Sequence, residues 1–294
     1  MSIFTLFIRG LKLAWSRRRL ALRLWAVHFI FSFLVIAPLA FAVHGQLAHS
    51  LTGTAVLKKL EVHWLTDFSS RYLDAAPLFL GLFLAAGLVF LVLAVFLNGG
   101  IIGCLNRPGA RTTLADFFHD CGLYFWRFFR LFLLSLPVYL VIIGLLYRPL
   151  AGLLNSLARR AATEWPALIA GNLRLLALVL LLGLVSMFFD YVKIGLATRG
   201  SRKVLKEARL TLKFVAGRFF KAWGLYLLAG LAFVLLTLLY LEVARVLPQG
   251  APLRLALVFA WQQLYILGRQ FSRMLFYATE TEFVRQHQEQ PQSS

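Results

Sequence analysis

The stretch FLGLFLAAGLVFLVLAVFL, residues 79–97, runs for nineteen residues without a charged side chain. About 20 consecutive apolar residues in helical conformation cross the hydrocarbon core of a bilayer. Lipid offers the backbone no hydrogen-bond partners, so a single segment that crosses it satisfies its own N–H and C=O groups as an α-helix. Residues 79–97 therefore predict a membrane-spanning helix, and this prediction sets the fold class of the whole chain.

The composition extends this interpretation to the rest of the chain. Of its 294 residues, 60% are hydrophobic and only 15% are charged, whereas soluble domains carry about 25% charged residues. We predict an all-α, polytopic protein that forms a single membrane domain over residues 1–294, with six transmembrane helices plus amphipathic interfacial helices. The predicted spans cover residues 24–43, 77–105, 131–147, 168–189, 222–241 and 253–277.

The distribution of basic residues predicts how the spans are oriented. Of the 31 Lys and Arg residues, 22 lie in the N-terminal segment, in the connections 106–130 and 190–221, and in the end of the last span with the tail. Positively charged loops stay in the cytoplasm, so we expect both termini on the cytoplasmic face of a bacterial inner (plasma) membrane. The net charge of +19 lies beside apolar spans on that face, which favours the bilayer and its anionic lipid headgroups as partners over nucleic acid.

Two stretches that follow apolar segments are similar, RPGARTTLAD at 107–116 and TRGSRKVLKE at 198–207. Aligned without gaps over 107–130 and 198–221, they share six of 24 positions, including part of the Arg-Phe-Phe-basic group that ends both copies. Spacings of three and four place apolar side chains on one face, which predicts in each copy an interfacial helix that bends into a span at this group. The residues expected to anchor these helices at lipid phosphates are Arg111, Arg127, Arg130, Arg202, Arg218 and Lys221.

A third, weaker copy opens the chain, where an apolar stripe runs from Phe4 to Trp15. Each unit of the predicted internal repeat consists of one interfacial helix and two spans. In the two clearer copies, Thr112 or Thr113 and Ser201 are the expected helix caps, because hydroxyl side chains accept hydrogen bonds from the first backbone N–H groups. The three predicted units are residues 1–105, 106–198 and 199–294.

No catalytic motif is found in the sequence. GxSxG, HExxH, CxxC and Gly-rich phosphate-binding loops are all missing, and the six His residues are scattered without the spacing of metal ligands. The protein is therefore expected to be non-enzymatic, with no catalytic residue, no cofactor and no metal site.

Polar side chains inside the spans mark the candidate site, because ionisable residues at membrane depth usually face a bundle interior or a cavity. In one interpretation Asp190 pairs with Arg273 or Arg269 and locks spans four and six together. In the other, the two arginines line a cytoplasm-facing crevice that binds an anion such as a phospholipid headgroup. The residues of this predicted polar seam or anion site are Asp190, Lys193, Arg269, Arg273, Gln262, Asn98 and Glu280.

Three sequence stretches, together with the six spans, carry a family resemblance. They read FFHDCGLYFWRFFR at 117–130, DYVKIGLATRGSRKVLKEA at 190–208 and GRQFSRMLFYATETEF at 268–283. With them the chain resembles a group of poorly characterised bacterial six-helix integral membrane proteins, similar to the membrane domain attached to some glycerophosphoryl diester phosphodiesterases. The resemblance implies an inner-membrane helical domain. It implies no catalytic residue, because no segment corresponds to the phosphodiesterase barrel.

The expected function is that of a membrane scaffold or lipid-interacting accessory without enzymatic activity. The alternative is a small transporter or permease with a cytoplasm-facing polar seam, since internal repeats are common in transporters. The sequence leaves the ligand, any protein partner and the oligomeric state open.

Overall fold

Helices make up all of the regular structure in the part of the chain that the computed structural model describes, residues 2–47, 76–107, 112–159, 165–247 and 252–289. The all-α prediction is therefore confirmed for these residues. A π-helical segment, Ile142–Tyr147, joins the helix Leu114–Val141 to the helix Arg148–Arg159. The α-helices within these ranges are α1 Ile3–Ser16, α2 Arg18–Leu47, α3 Ala76–Asn106, α4 Leu114–Val141, α5 Arg148–Arg159, α6 Trp165–Thr198, α7 Val204–Ala216, α8 Phe219–Val246 and α9 Pro252–Glu289.

Five helical stretches in the described ranges are long and apolar enough to cross a membrane, as expected of a multi-pass membrane protein. They overlap the first five predicted spans. Helix α9 has 38 residues and is long enough, but it is not among these five apolar stretches, so the sixth span stays a prediction. The five stretches are Arg18–Ala37, Leu80–Asn106, Leu114–Ser156, Trp165–Thr198 and Phe219–Val246.

The chain divides into two compact units. We call Met1–Ala21 together with Val95–Ser294 the core unit, and Leu22–Ala94 the second unit. In the second unit, the His28 ring lies edge-on to Phe90 with 5.6 Å between the ring centroids. His28 is buried, and its Nδ1 lies 2.7 Å from the carbonyl oxygen of Leu24 in its own helix. This polar ring is thus satisfied locally while it packs α2 against α3.

Two short helices, α1 and α7, each directly precede a long helix, as predicted for interfacial segments. Between α7 and α8 the chain turns at Gly217 and Arg218, which confirms the predicted break at the Arg-Phe-Phe-Lys group. In the other copy the prediction is wrong, because α4 continues through Arg127 and Arg130 without interruption. In the alignment of the two copies, Trp126 stands where the broken copy has Gly217, and a tryptophan continues a helix more readily than a glycine does.

Helices α1 and α7 pack through faces composed of small, medium-sized and polar residues. Their large apolar residues, such as Trp15 of α1 and Leu205 of α7, stay exposed and available to lipid. The predicted apolar stripes therefore exist, but a different face of each helix holds it to the protein. The buried residues are Leu6, Gly10 and Ala14 in α1, and Glu207, Thr211 and Val215 in α7.

The second halves of α3, α6 and α9 each meet one of the predicted interfacial segments at a close contact. A Cβ atom at Gly103 of α3 would lie 2.6 Å from Asp120 of α4, and one at Gly195 of α6 would lie 2.5 Å from Glu207 Oε1 of α7. In the third contact the glycine is on the short helix. A Cβ atom at Gly10 of α1 would lie 2.6 Å from Thr279 Cα of α9.

An ion pair with a buried acid accompanies each of the first two contacts. Arg107 Nη2 lies 2.6 Å from Asp120 Oδ1, and Arg199 Nη1 lies 2.9 Å from Glu207 Oε1. Both acidic side chains are about 2% exposed, whereas the arginine side chains are 38% and 39% exposed. Each arginine directly follows the last residue of the neighbouring helix and compensates the charge of the acid, which makes the inward orientation of the acid possible.

The expected caps are found in one of the two copies. Thr113 caps α4, and Asp116 completes a reciprocal capping box with it. Ser201 does not cap α7, whose first flanking residue is Lys203 without a side-chain cap. Instead, Gly200 turns the chain before α7 with a φ of +63°, a conformation that glycine adopts without steric cost.

The contact of α1 with α9 provides a stability test. Gly10→Ala places a methyl group against the Thr279 backbone, so we expect a loss of about 1–3 kcal/mol of unfolding free energy from overpacking. The matched control is Gly122→Ala in α4, where the added methyl meets open space and helix propensity favours alanine by about 1 kcal/mol. Unfolding of both variants in detergent measures the difference, and equal stabilities would contradict a close α1–α9 contact.

Candidate functional site

Polar side chains of α3 and α9 meet at the amide of Asn98 in the core unit. Arg273 Nη2 donates a hydrogen bond of 2.8 Å to Asn98 Oδ1. The hydroxyl of Tyr277 donates to the same oxygen at 3.0 Å. Asn98 is buried, so one amide oxygen accepts from both α9 side chains and fixes the arginine in place.

Helix α6 contributes a second pair to this cluster. Lys193 Nζ donates to Asp190 Oδ1 at 2.7 Å and lies 3.4 Å from the hydroxyl oxygen of Tyr277. The predicted pairing of Asp190 with Arg273 or Arg269 is therefore wrong. Asp190 and Lys193 are three residues apart on one helix, so they can form an ion pair within that helix. Arg273 instead donates a hydrogen bond to the neutral amide of Asn98.

A cavity of about 350 Å³ lies beside the cluster, between α3, α6, α8 and α9. We call it the arginine cavity, because both Arg269 and Arg273 line it. Three cationic side chains and one carboxylate are in its wall, and that carboxylate belongs to Asp190, which already pairs with Lys193. Among the described residues, neither arginine has a carboxylate within salt-bridge distance. The cavity therefore carries an excess of positive charge.

A second, smaller cavity of about 220 Å³ adjoins the same cluster. It shares Asn98, Ser186, Asp190 and Lys193 with the arginine cavity, so the polar cluster lines both. The rest of its wall is mostly apolar and includes Phe128, Leu131, Phe132 and Leu136. We call it the apolar cavity.

The two remaining seam residues lie outside both cavities. Gln262 is exposed and lines neither of them, so the predicted stripe does not extend to it. Glu280 is only 1% exposed, and its two carboxylate oxygens have no hydrogen-bond partner. Glu280 lies three residues beyond the predicted end of the sixth span, and burial raises the pKa of its carboxyl group well above the usual range. Its protonated form is therefore favoured.

The residues predicted to anchor interfacial helices have different surroundings. Arg111 lies outside the described residues. Arg218 is exposed and stands over the Phe214 ring at 5.2 Å from its centroid, whereas Arg127 is half-buried over the Tyr124 ring at 5.7 Å. The first Phe of the RFFR group, Phe128, is buried in the protein. The other predicted anchors are all exposed, namely Arg130, Arg202 and Lys221.

Sequence reasoning missed Tyr277, which joins Asn98 to Lys193. It also missed a spacing signal. The end of α3 and the residue after it read Asn98-x4-Gly103-x3-Arg107, and the end of α6 and the residue after it read Asp190-x4-Gly195-x3-Arg199. The offset between these two patterns is 92 residues, whereas the offset between the segments 107–130 and 198–221 is 91. In both helices the polar residue lines the cavities and the glycine meets an acidic residue of the next helix. Reading this second register would have brought Asn98 and Asp190 together from sequence.

Comparisons of the chain with protein-family models, with curated proteins and with solved structures found no match. The resemblance to the membrane domain of some glycerophosphoryl diester phosphodiesterases stays a prediction. The functional proposal below therefore depends on the geometry of the arginine cavity and on the apolar helices.

Glu280→Gln tests the burial of an unpartnered acid. A carboxyl group whose pKa is raised by folding loses stabilisation as pH rises above its unfolded value of about 4.3. The amide keeps the shape without the titration, so we expect Glu280→Gln to be more stable than wild type, by up to about 1.4 kcal/mol per pH unit as pH rises. Unfolding midpoints in detergent between pH 5 and pH 8 measure the difference.

The control for this experiment is Glu242→Gln, since Glu242 is exposed and pairs with Arg245. Its stability relative to wild type should change little over the same pH range, because exposed pairs contribute about 0–1 kcal/mol. If the unfolding midpoint of Glu280→Gln equals that of wild type at every pH, the charge of Glu280 is compensated in the folded protein.

Proposed function

We propose that this chain is a non-enzymatic multi-pass protein of the bacterial inner membrane that binds anionic lipid headgroups, as a membrane scaffold or lipid-interacting accessory. The observation that carries the proposal is the pair Arg269 and Arg273, which line a cavity without a carboxylate partner among the described residues. Arg269 is exposed and Arg273 is half-buried, so a ligand can reach the cavity wall at both residues.

The hydrogen bond from Arg273 to Asn98 positions the guanidinium but does not neutralise it, because the amide has no charge. An arginine held in this way keeps several N–H donors and its full charge for an incoming oxyanion. Guanidinium groups bind phosphate and carboxylate with two parallel hydrogen bonds. An anion in the arginine cavity would thus replace the missing counter-charge.

The proposed topology has six spans with both termini in the cytoplasm, and α9 is the sixth. Two facts support it. Between Arg254 and Arg269 no residue of α9 is charged, and Arg269 and Arg273 line a cavity. A charged residue at membrane depth is tolerated when it faces a cavity or a partner. The basic, exposed faces of α1 and α7 would rest on anionic lipid at the cytoplasmic interface.

The proposed internal repeat has support from three positions. Asn98 precedes Gly103 by five residues, Asp190 precedes Gly195 by five, and Arg273 precedes Ala278 by five. The first residue of each pair lines the arginine cavity. We propose that these positions are equivalent in three units and that the chain is related to the six-helix membrane domain named above.

A small transporter is the second candidate, and one observation favours it. The cluster at Asn98 and Lys193 lines two adjoining cavities. Adjoining cavities that share polar residues within a helix bundle are also what a transport path requires. Reconstitution into liposomes distinguishes the candidates. Flux of an anion that depends on the protein would favour the transporter, and tight vesicles with bound lipid would favour the accessory.

The lipid-binding proposal predicts the behaviour of Arg269→Ala combined with Arg273→Ala. Removing both cations from the cavity should reduce the amount of anionic phospholipid that copurifies with the protein at least about tenfold, since each charge-assisted bond contributes about 1.5–3 kcal/mol. Lipid extraction and mass spectrometry of the detergent-purified protein measure the retained lipid.

The matched control is Arg148→Ala combined with Arg245→Ala, which removes the same net charge from two exposed positions. It should retain the wild-type amount of lipid. If the cavity variant is folded and keeps its lipid, or if both variants lose it equally, the arginine cavity is not the lipid site.

The topology proposal is tested with reporter fusions. An enzyme that is active only outside the cytoplasm should be active when fused after residue 60, because that residue lies in the predicted outward loop between spans one and two. The same enzyme fused after residue 200 should be inactive. Activity in the reverse pattern would overturn the proposed orientation.

A further inference from the structure

We infer that the arginine cavity is selective for a phosphomonoester, a phosphate group with one carbon substituent and close to two negative charges at neutral pH. This inference rests on the proposed function and specifies its ligand. It adds a choice among anions, because most phospholipid headgroups are phosphodiesters with a single charge on the phosphate. The choice follows from the charges in the cavity wall and from the way the arginines are held.

The charges in the wall leave an excess of two. Lys193 and Asp190 form a pair at 2.7 Å and compensate each other. Arg269 and Arg273 then remain as two cations without a carboxylate among the described residues. A ligand with two negative charges balances this excess, whereas a phosphodiester balances only half of it.

Glu280 does not supply the missing negative charge. Its side chain is 1% exposed and does not line the cavity. Its carboxylate oxygens make no hydrogen bond to either arginine or to any other described residue. Burial also favours its protonated, neutral form. The excess of two positive charges in the cavity wall is therefore retained.

The positions of the arginines suit a tetrahedral oxyanion. Arg269 and Arg273 are four residues apart on α9, so their side chains are neighbours on one helix face. Arg273 is held by Asn98 Oδ1 through one terminal nitrogen, which leaves its other donors for a ligand. Two guanidinium groups on one wall can contact separate pairs of phosphate oxygens, and a monoester has three unsubstituted oxygens where a diester has two.

The ligand source is either a lipid or a soluble phosphate compound, and both present the same chemistry. The apolar cavity favours the lipid, because it adjoins the arginine cavity at Asn98 and Lys193 and is lined by Phe128 and Phe132. It offers space for part of an alkyl chain whose phosphate lies at the arginines. A soluble phosphate would use only the arginine cavity.

The experiment titrates three probes into the full-length protein in neutral detergent at pH 8. They are dodecyl phosphate, its methyl ester as the diester with the same chain, and inorganic phosphate. Calorimetry measures each affinity. We expect dodecyl phosphate to bind at least about tenfold more tightly than the diester, and its advantage to disappear at pH 5, below the second phosphate pKa of about 6.

Two variants locate the effect. Asn98→Asp places a carboxylate against Arg273 in nearly the same shape, so it should remove the preference for the monoester while the diester still binds. Arg273→Lys keeps the charge but removes the two-pronged donor, so it should weaken the monoester and retain more binding than Arg269→Ala with Arg273→Ala. Unfolding midpoints of both variants show whether they are folded.

The outcomes separate this inference from the proposed function. Equal affinity for monoester and diester, with both lost in Arg269→Ala with Arg273→Ala, overturns the phosphomonoester and leaves the lipid-binding proposal standing. Binding of either probe that persists in this folded double variant overturns both proposals. Inorganic phosphate that binds as tightly as dodecyl phosphate supports the phosphate chemistry and assigns it to a soluble ligand.

Discussion

Hydrocarbon offers no hydrogen-bond partner to a polar group, and this constraint determines most of what the structure contains. The backbone satisfies itself in helices, and the polar side chains of the cluster around Asn98 find partners within the protein. Asn98 accepts from Arg273 and Tyr277, and Lys193 pairs with Asp190. The departure from this rule is informative. Arg269 and Arg273 line a cavity with their charges uncompensated by any described carboxylate, and that excess is the basis for an anion-binding function.

Close approach between helices is the second organising feature. Apolar side chains gain little by leaving lipid for protein, so helices in a bilayer associate through tight packing and polar contacts at small residues. Gly103, Gly195 and Gly10 each stand where a Cβ atom would collide with the neighbouring helix. The ion pairs Arg107–Asp120 and Arg199–Glu207, whose acidic side chains are buried, lie at two of these contacts. Close packing and charge compensation thus occur together where α3 meets α4 and where α6 meets α7.

The errors in the sequence-based predictions have a common cause. Hydrophobic periodicity correctly placed a large apolar stripe on α1 and α7, but in a membrane protein such a stripe can face lipid as well as protein. The faces that pack inward hold residues such as Gly10, Glu207 and Thr211, which a hydrophobicity pattern assigns to the surface. Asp120 is likewise buried and pairs with Arg107, which follows the last residue of α3. Gln262 had the right helical spacing but lies outside the cavities.

The sequence by itself determined the all-helical fold, the positions of the long apolar helices and the charged and amide residues of the site, although not Tyr277. These properties depend on composition and periodicity, which are local and need no knowledge of neighbouring helices. Only the tertiary structure decided which polar groups meet. Arg273 and Tyr277 of α9 donate hydrogen bonds to Asn98 of α3, and both arginines line a cavity. Pairing depends on the distances between side chains on different helices, and residues 175 positions apart in sequence become neighbours only when those helices pack.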